Sequence, residues 1–243
     1  MKKIAFSIAK SRTKFLLLLF VVELIVLSLI SPYFFDMNNL MQVTQFGASL
    51  TLLSLGEALV MIAGRDGIDI SIGSTMSLSG VFIGLAVMNG AGIFTATIIT
   101  LVCGVLLGAI NGILVAVAKV PALIATLGTQ YIYGSLALYL TGGIPISGFP
   151  DSFKMLSLES TFGIPNQILF VVVPVTVLVF VLVYKMKFGR RVYLMGTNFE
   201  AAKYTGIKEK KVRMYVYILA GVLASISAII NNSWLMTARA DAG

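Results

Sequence analysis

The sequence predicts an all-α fold, a polytopic transmembrane helical bundle of about seven spans, on three observations. Of its 243 residues, 58% are hydrophobic and 12% are charged, whereas a soluble domain carries about a quarter charged. So little polar surface cannot cover a globule in water. The apolar residues gather into runs near the ~20 residues that cross a hydrocarbon core as a helix. The basic residues behind the net charge of +8 lie between those runs. They do not form one face of a soluble fold, which argues against nucleic acid as a partner.

The elements follow in order. Segment 1–14 holds Lys2, Lys3, Lys10, Arg12 and Lys14. The apolar run that follows, 15–35, is long enough to span and has no A-x-A site, so it reads as an uncleaved first helix, not a signal peptide. Further spans are expected near 46–63, 70–88, 93–118, 122–140, 167–184 and 214–235. Segment 1–14 is then a cytoplasmic N-terminus, and 15–184 a bundle of about six spans. Within it, 141–166 is an external loop rich in Gly, Pro and Ser. Segment 185–213 is a cytoplasmic loop, and 214–243 holds the seventh span and its external end.

Charge checks this layout. Five basic residues lie in 1–14 and nine in 185–213, and an even number of spans separates the two segments. Arg65 and Lys119 fall on the same side, so 16 of 18 basic residues lie together and only Lys154 and Arg239 lie opposite. The positive-inside rule makes the richer side cytoplasmic. Gly104, Gly108 and Gly112 recur at four-residue spacing in the fourth span, as do Gly80 and Gly84 in the third. Such stripes let helix backbones approach closely in lipid. Pro121 suits the first turn of the fifth span, and Pro174 is expected to kink the sixth.

Enzyme chemistry finds little support. There is no histidine, which excludes a Ser–His triad for the GSTMSLSG segment. No phosphate loop, H-E-x-x-H or Cys/His cluster is present. The single cysteine, Cys103, lies in an apolar span. Catalytic and metal-binding residues are therefore assigned to none. Glu57 lies within the second span, where a carboxylate costs roughly 2.5–3.5 kcal/mol and faces the bundle interior or water. It is either a pathway or proton-carrying residue or an acid hydrogen-bonded to a neighbouring helix. Glu23 in the first span is a weaker candidate on the same grounds. In GRDGIDISIGS, Gly64 and Gly67 break the helix, and Asp69 or Ser71 can accept from the next helix's freed N–H groups. Asp66 and Asp69 in this break also suit a transport cavity, where irregular backbone is tolerated. Glu57, Asp66 and Asp69 are thus pathway or gating candidates.

In GTNFEAAKYTGI, residues 196–207, Thr197 and Glu200 have capping-box spacing, and Gly206 supplies a left-handed stop. A helix of about two turns is too short to stand alone in water. It docks either on the membrane surface, with its lysines on anionic lipid, or in a groove on a cytoplasmic partner. Ala201, Ala202 and Gly206 form a small-residue face that favours the partner.

The pattern Glu200-Ala201-Ala202-x3-Gly206 resembles the cytoplasmic EAA loop of ABC importer permeases. SPYFFDMNNL at 31–40, GIDISIGS at 67–74, NGILVAVAKVPALIATLGT at 111–129 and GRRVYLMGTNFEAAKYTGI at 189–207 narrow the resemblance to the ribose-type sugar-importer branch. Members of that branch have about ten spans of ~20 residues, with a glycine-rich stretch and further spans following a segment like TARADAG. The resemblance implies that this chain, ending at Gly243, lacks that part. It also implies a bacterial inner-membrane subunit paired with a second permease, identical or not. Cytoplasmic ABC ATPase subunits would hold ATP and Mg, and an external or periplasmic binding protein would deliver a pentose, hexose, nucleoside or autoinducer-2-like solute. Gly196, Asn198, Glu200, Ala201, Ala202, Gly206 and Ile207 would form the helix that couples to the ATPase. The alternatives are a secondary transporter using Glu57 as an ion or proton site, and an inactive permease remnant.

Overall fold

The computed structural model of the chain describes residues 11–64 and 67–243, so Asp66 lies outside the described residues. The chain forms two compact units, Met1–Thr44 and Gln45–Gly243. In the first, helix α1 (Arg12–Ile30) is apolar on all sides apart from its first turn and Glu23. It ends at Ser31, earlier than the expected 35, because Pro32 disfavours helical backbone in the residue before it. Asp36 then starts α2 (Met37–Ile62), well before the expected 46. Its carboxylate accepts from the N–H of Asn38 at 2.9 Å, satisfying an orphan donor of the first turn.

In the second unit α2 continues, followed by α3 (Ile72–Met88), α4 (Ile93–Gly112) and α5 (Ala122–Thr141). A π-helical turn, Ile113–Val117, extends α4. After segment 142–167 come a π-helical stretch Ile168–Val172 and α7 (Val173–Tyr184). Then follow α8 (Lys187–Thr197), α9 (Phe199–Tyr204) and α10 (Glu209–Leu235). Helices thus occupy all seven expected spans. Among the described residues, Thr13–Ile30, Met37–Ile62, Ile93–Val117 and Glu209–Leu235 are long and apolar enough to cross a membrane. A fifth candidate is the pair Ile168–Tyr184 and Lys187–Thr197, bent by 66°. Helix α3, at 17 residues, is shorter, because Gly67–Ser71 stays non-helical ahead of it. Helix α5 is diluted by Thr126, Thr129, Gln130 and Ser135.

The centre of this unit is α10, which buries Val216, Tyr217, Ala220, Ala224 and Ala228. The α4 glycine stripe faces it. A Cβ on Gly108 would lie 2.9 Å from Ile218 Cα, and one on Gly104 would meet the carbonyl of Gly221 and Ser225. Close packing of this kind replaces the hydrophobic drive that lipid removes. Gly80 of α3 faces Asn232, whose Nδ2 donates to the Gly80 carbonyl at 2.8 Å.

The strain of Pro174 is taken up by the π-helical stretch immediately before α7, and the bend follows Tyr184. Segment 142–167 holds more structure than a loop. Asp151–Phe153 form a 3₁₀ turn leading into α6 (Lys154–Ser157). Strands β1 (Ser160–Thr161) and β2 (Ile164–Pro165) pair antiparallel in the register Ser160↔Pro165. Between them Phe162 and Gly163 both have positive φ, 55° and 77°, as a two-residue hairpin turn requires. The segment is sewn to α10: Ser157 Oγ donates to Ile230 O at 2.9 Å and Ser233 Oγ to Phe153 O at 2.6 Å.

Candidate functional site

The described end of the break between α2 and α3, residues 67–71, turns into the bundle at Asp69 and Ser71. Asp69 and Ser71 are buried, as are Asn111, Thr126, Tyr133 and Tyr217 around them. Backbone with no helix or sheet partner must find bonds elsewhere in such a place. The N–H of Asp69 donates to both carboxylate oxygens of Glu57 at 3.2 Å. The Ile68 carbonyl accepts from Tyr217 Oη at 3.3 Å. Asp69 Oδ1 accepts from the N–H of Ser71 at 3.0 Å and from its Oγ at 2.6 Å. Asn111 of α4 completes the cluster, its Nδ2 donating to Ser71 Oγ at 2.7 Å. The break is thus held from α2, α4 and α10.

Of the two expected acceptors, Asp69 makes the bond to the backbone. Glu57 and Asp69 are brought together through one backbone N–H. Among the described residues no three acidic or cysteine side chains converge as metal ligands would. Asn111, Tyr133 and Tyr217 were not singled out from the sequence, although a lone Asn in the apolar run of α4 was a readable signal.

The second feature is α9, six residues long. Its N-cap is Asn198, whose Oδ1 accepts from the N–H of Ala201 at 3.0 Å. The expected Thr197–Glu200 capping box does not form. Thr197 is still the last residue of α8, and its hydroxyl donates back to Tyr193 O at 3.0 Å. Glu200 instead pairs with Lys203 at 3.2 Å. The stop is as expected: Gly206 has φ 75°. Its N–H donates to Lys203 O at 3.1 Å, and that of Ile207 to Ala202 O at 3.4 Å, a Schellman arrangement.

The seven residues expected to couple divide between two sides. Ala202 is buried with Val192, Met195 and Val212, and Ile207 packs on the same cluster. Gly196 presses on the end of α2, where a Cβ would strike Ile62 O. Asn198, Glu200, Ala201 and Gly206 are exposed, and Tyr204 is 91% exposed. Helix α8 was not foreseen. Gly189, Val192 and Met195 recur every three residues as its buried face, with Arg190 and Arg191 outside.

On segment 142–167, Lys154 stands 2.6 Å from Asp151 and holds its exposed carboxyl below the usual carboxylate range. Beside the same segment, whose Ile146 pairs with Ala238, Arg239 clamps Asp241 through Nε at 2.9 Å and Nη2 at 2.8 Å.

A helix bundle with a polar break fastened in its interior, and a short capped helix on a basic surface, defines a class: a multi-pass transport permease. Residues 39–242 match the family described as branched-chain amino acid transport system / permease component, and the chain belongs to that family, one of permeases and not of enzymes. It is 34% identical over 234 residues to the autoinducer 2 import system permease protein LsrD of Enterobacter sp. (strain 638), covering 94% of this chain and 71% of the relative. The probable ABC transporter permease protein y4mJ of Sinorhizobium fredii is 37% identical over 214 residues, covering 87% and 63%. The autoinducer 2 import system permease protein LsrC of Yersinia enterocolitica is 33% identical over 204 residues, covering 84% and 56%. The chain thus spans between about half and three quarters of the length of these relatives. No solved structure matches it.

Proposed function

We propose that the chain is the membrane subunit through which an ATP-driven importer brings a sugar-like polar solute into a bacterial cell. The observation that carries the reading is α9. It is capped by Asn198, stopped by Gly206 and anchored inward by Ala202, and it presents Glu200, Ala201, Lys203 and Tyr204 outward. So short a helix, held by its inner face, suits a shallow groove on a cytoplasmic ATPase, which would hold ATP and Mg. The relatives support the same class.

In this reading the membrane is the inner one, and 1–14 and 185–213 are cytoplasmic. Segment 141–166 faces outward toward an external binding protein, and a second permease subunit completes the path. Movement of α9 travels through Gly196 to the end of α2 and so to the break at 67–71. Glu57 and Asp69 then act as a gate: their bonds fasten that segment, and a shift of α2 against α4 releases it. The solute class follows the autoinducer 2 import permeases among the relatives.

The test is co-purification of the chain with ABC-type ATPases of its host, alongside uptake of labelled sugars and autoinducer 2. Glu200→Lys and Gly206→Pro are expected to abolish both ATPase association and uptake. Intact association in both variants overturns the coupling role. Uptake that persists without any ATPase and is lost in Glu57→Gln would point to a gradient-driven carrier instead.

A further inference from the structure

A cleft of about 680 Å³ opens between the end of α4, the turn into α5 and the start of α10. It exists because the π-helical turn Ile113–Val117 widens the end of α4, and Lys119 then reverses the chain with φ 60°. Its lining is divided. Lys119, Lys203, Lys210 and Arg213 supply cations, whereas Val120, Leu123 and Ile124 supply apolar wall. Two carboxylates belong to this neighbourhood: Glu209, 3.9 Å from Arg213, and Glu200, paired with Lys203. Among the described residues, four cations against two acids leave an excess of positive charge, carried by Lys119 and Lys210.

The cleft also sits at a particular depth. Apolar helices begin or end on each side of it, α4 before Lys119, α5 after Pro121 and α10 beyond Arg213. Leu123 and Ile124 are 49% and 63% exposed, so the apolar wall runs out onto the exposed face of α5. A soluble anion would use only the charged half of this surface. An amphiphile with an anionic head and hydrocarbon tails fits both halves, and basic pockets between spans at the membrane boundary suit such headgroups.

We infer that this cleft is a binding site for an anionic phospholipid, its phosphate held among Lys119, Lys210 and Arg213 and its acyl chains laid along Leu123 and Ile124. The site rests on α4 and α5 crossing the membrane and not on the coupling role of α9. Its neighbourhood gives it a consequence, because Lys203 of α9 lines the same cleft. A bound headgroup would therefore touch the short helix through Lys203, on its exposed side.

The purified chain in detergent, titrated with phosphatidylglycerol or phosphatidylcholine and read by native mass spectrometry, tests this. A single phosphatidylglycerol is expected to stay bound where phosphatidylcholine does not. The double variant Lys119→Gln, Lys210→Gln should weaken it roughly thirtyfold, at about 1 kcal/mol per charge. Lys119→Arg, Lys210→Arg should retain it, which separates lost charge from lost folding. Lys185→Gln, Lys187→Gln, outside the cleft, should bind as the parent does. Equal retention of phosphatidylcholine, equal loss in the control pair, or displacement by millimolar inorganic phosphate would each overturn the site. So would loss of a co-purifying protein chain, in place of lipid, in the glutamine variant.

Discussion

Gly196 and Gly64 meet backbone to backbone: a Cβ built on Gly64 would lie 2.5 Å from Gly196 Cα and 3.1 Å from its carbonyl oxygen. The contact joins the last turn of α8 to the chain just after α2. No side chain fits between them, and Gly64 has φ 69°, where L residues are strained. Gly196→Val is expected to destabilise the fold by about 1–3 kcal/mol, the cost of overpacking against atoms that cannot rotate away. Gly128→Ala meets open space and should hold or gain up to ~1 kcal/mol from helix propensity. Thermal unfolding midpoints of the two variants in detergent decide this, and a parental midpoint for Gly196→Val would refute the contact.

The second expectation concerns the fastening of the break. Asn111 is 1% exposed and gives its amide to Ser71 Oγ at 2.7 Å and, more distantly, to Asp69 Oδ1 at 3.5 Å. Asn111→Leu leaves those buried acceptors short of a donor, which costs about 1–3 kcal/mol. Tyr217→Phe removes only the bond to Ile68 O and should cost about 0.5–1.5 kcal/mol. The order of the two unfolding midpoints is the measurement. Equal, unshifted midpoints would mean that the cluster does not hold the segment.

The glycine stripe of α4 was legible in the sequence because four-residue spacing has one physical meaning in a helix, a single face. The break at 64–71 was legible as a break, since glycine and charge interrupt an apolar run. What fastens it was not. Asn111 and Tyr217 come from sites 40 and 149 positions away in the chain, and no local pattern encodes such pairings. Spans ending at Ile30 and starting at Met37 were misjudged because apolar composition continues through Pro32, whose effect is on backbone and not on hydropathy. Helix α8 was hidden by its charge: Arg190 and Arg191 read as loop, while Gly189, Val192 and Met195 bury beneath them. The start of α9 was misplaced by one residue because Thr197 and Asn198 are both good caps. Continuation of α8 through Thr197 decided between them.

That choice can be measured. Asn198→Ala removes the acceptor for the Ala201 N–H and should cost about 1 kcal/mol, within a range of 0.5–2. Thr197→Ala removes a hydroxyl that only bonds back to its own helix, where such bonding adds little stability. Hydrogen exchange of the amides in Phe199–Tyr204 is therefore expected to quicken in Asn198→Ala and to stay near parental in Thr197→Ala. The reverse order would restore the capping box.

Orientation gives the last prediction, and it follows from charge. Lys210 belongs to the basic segment that holds nine of the 18 Lys and Arg residues, whereas Phe162 stands 95% exposed at the tip of the β1–β2 hairpin. Only α7, with its π-helical lead, separates the two as an apolar crossing, because the 66° bend takes α8 out of line with it. One crossing puts them on opposite faces. The chain's single cysteine, Cys103, is buried, so new thiols can be read against a low background. In intact cells a membrane-impermeant maleimide should label Phe162→Cys at once and Lys210→Cys only after permeabilisation. Labelling of both from outside would show that α7 does not cross, and labelling of Lys210→Cys alone would invert the chain. Either result would place α9 where no cytoplasmic ATPase reaches it.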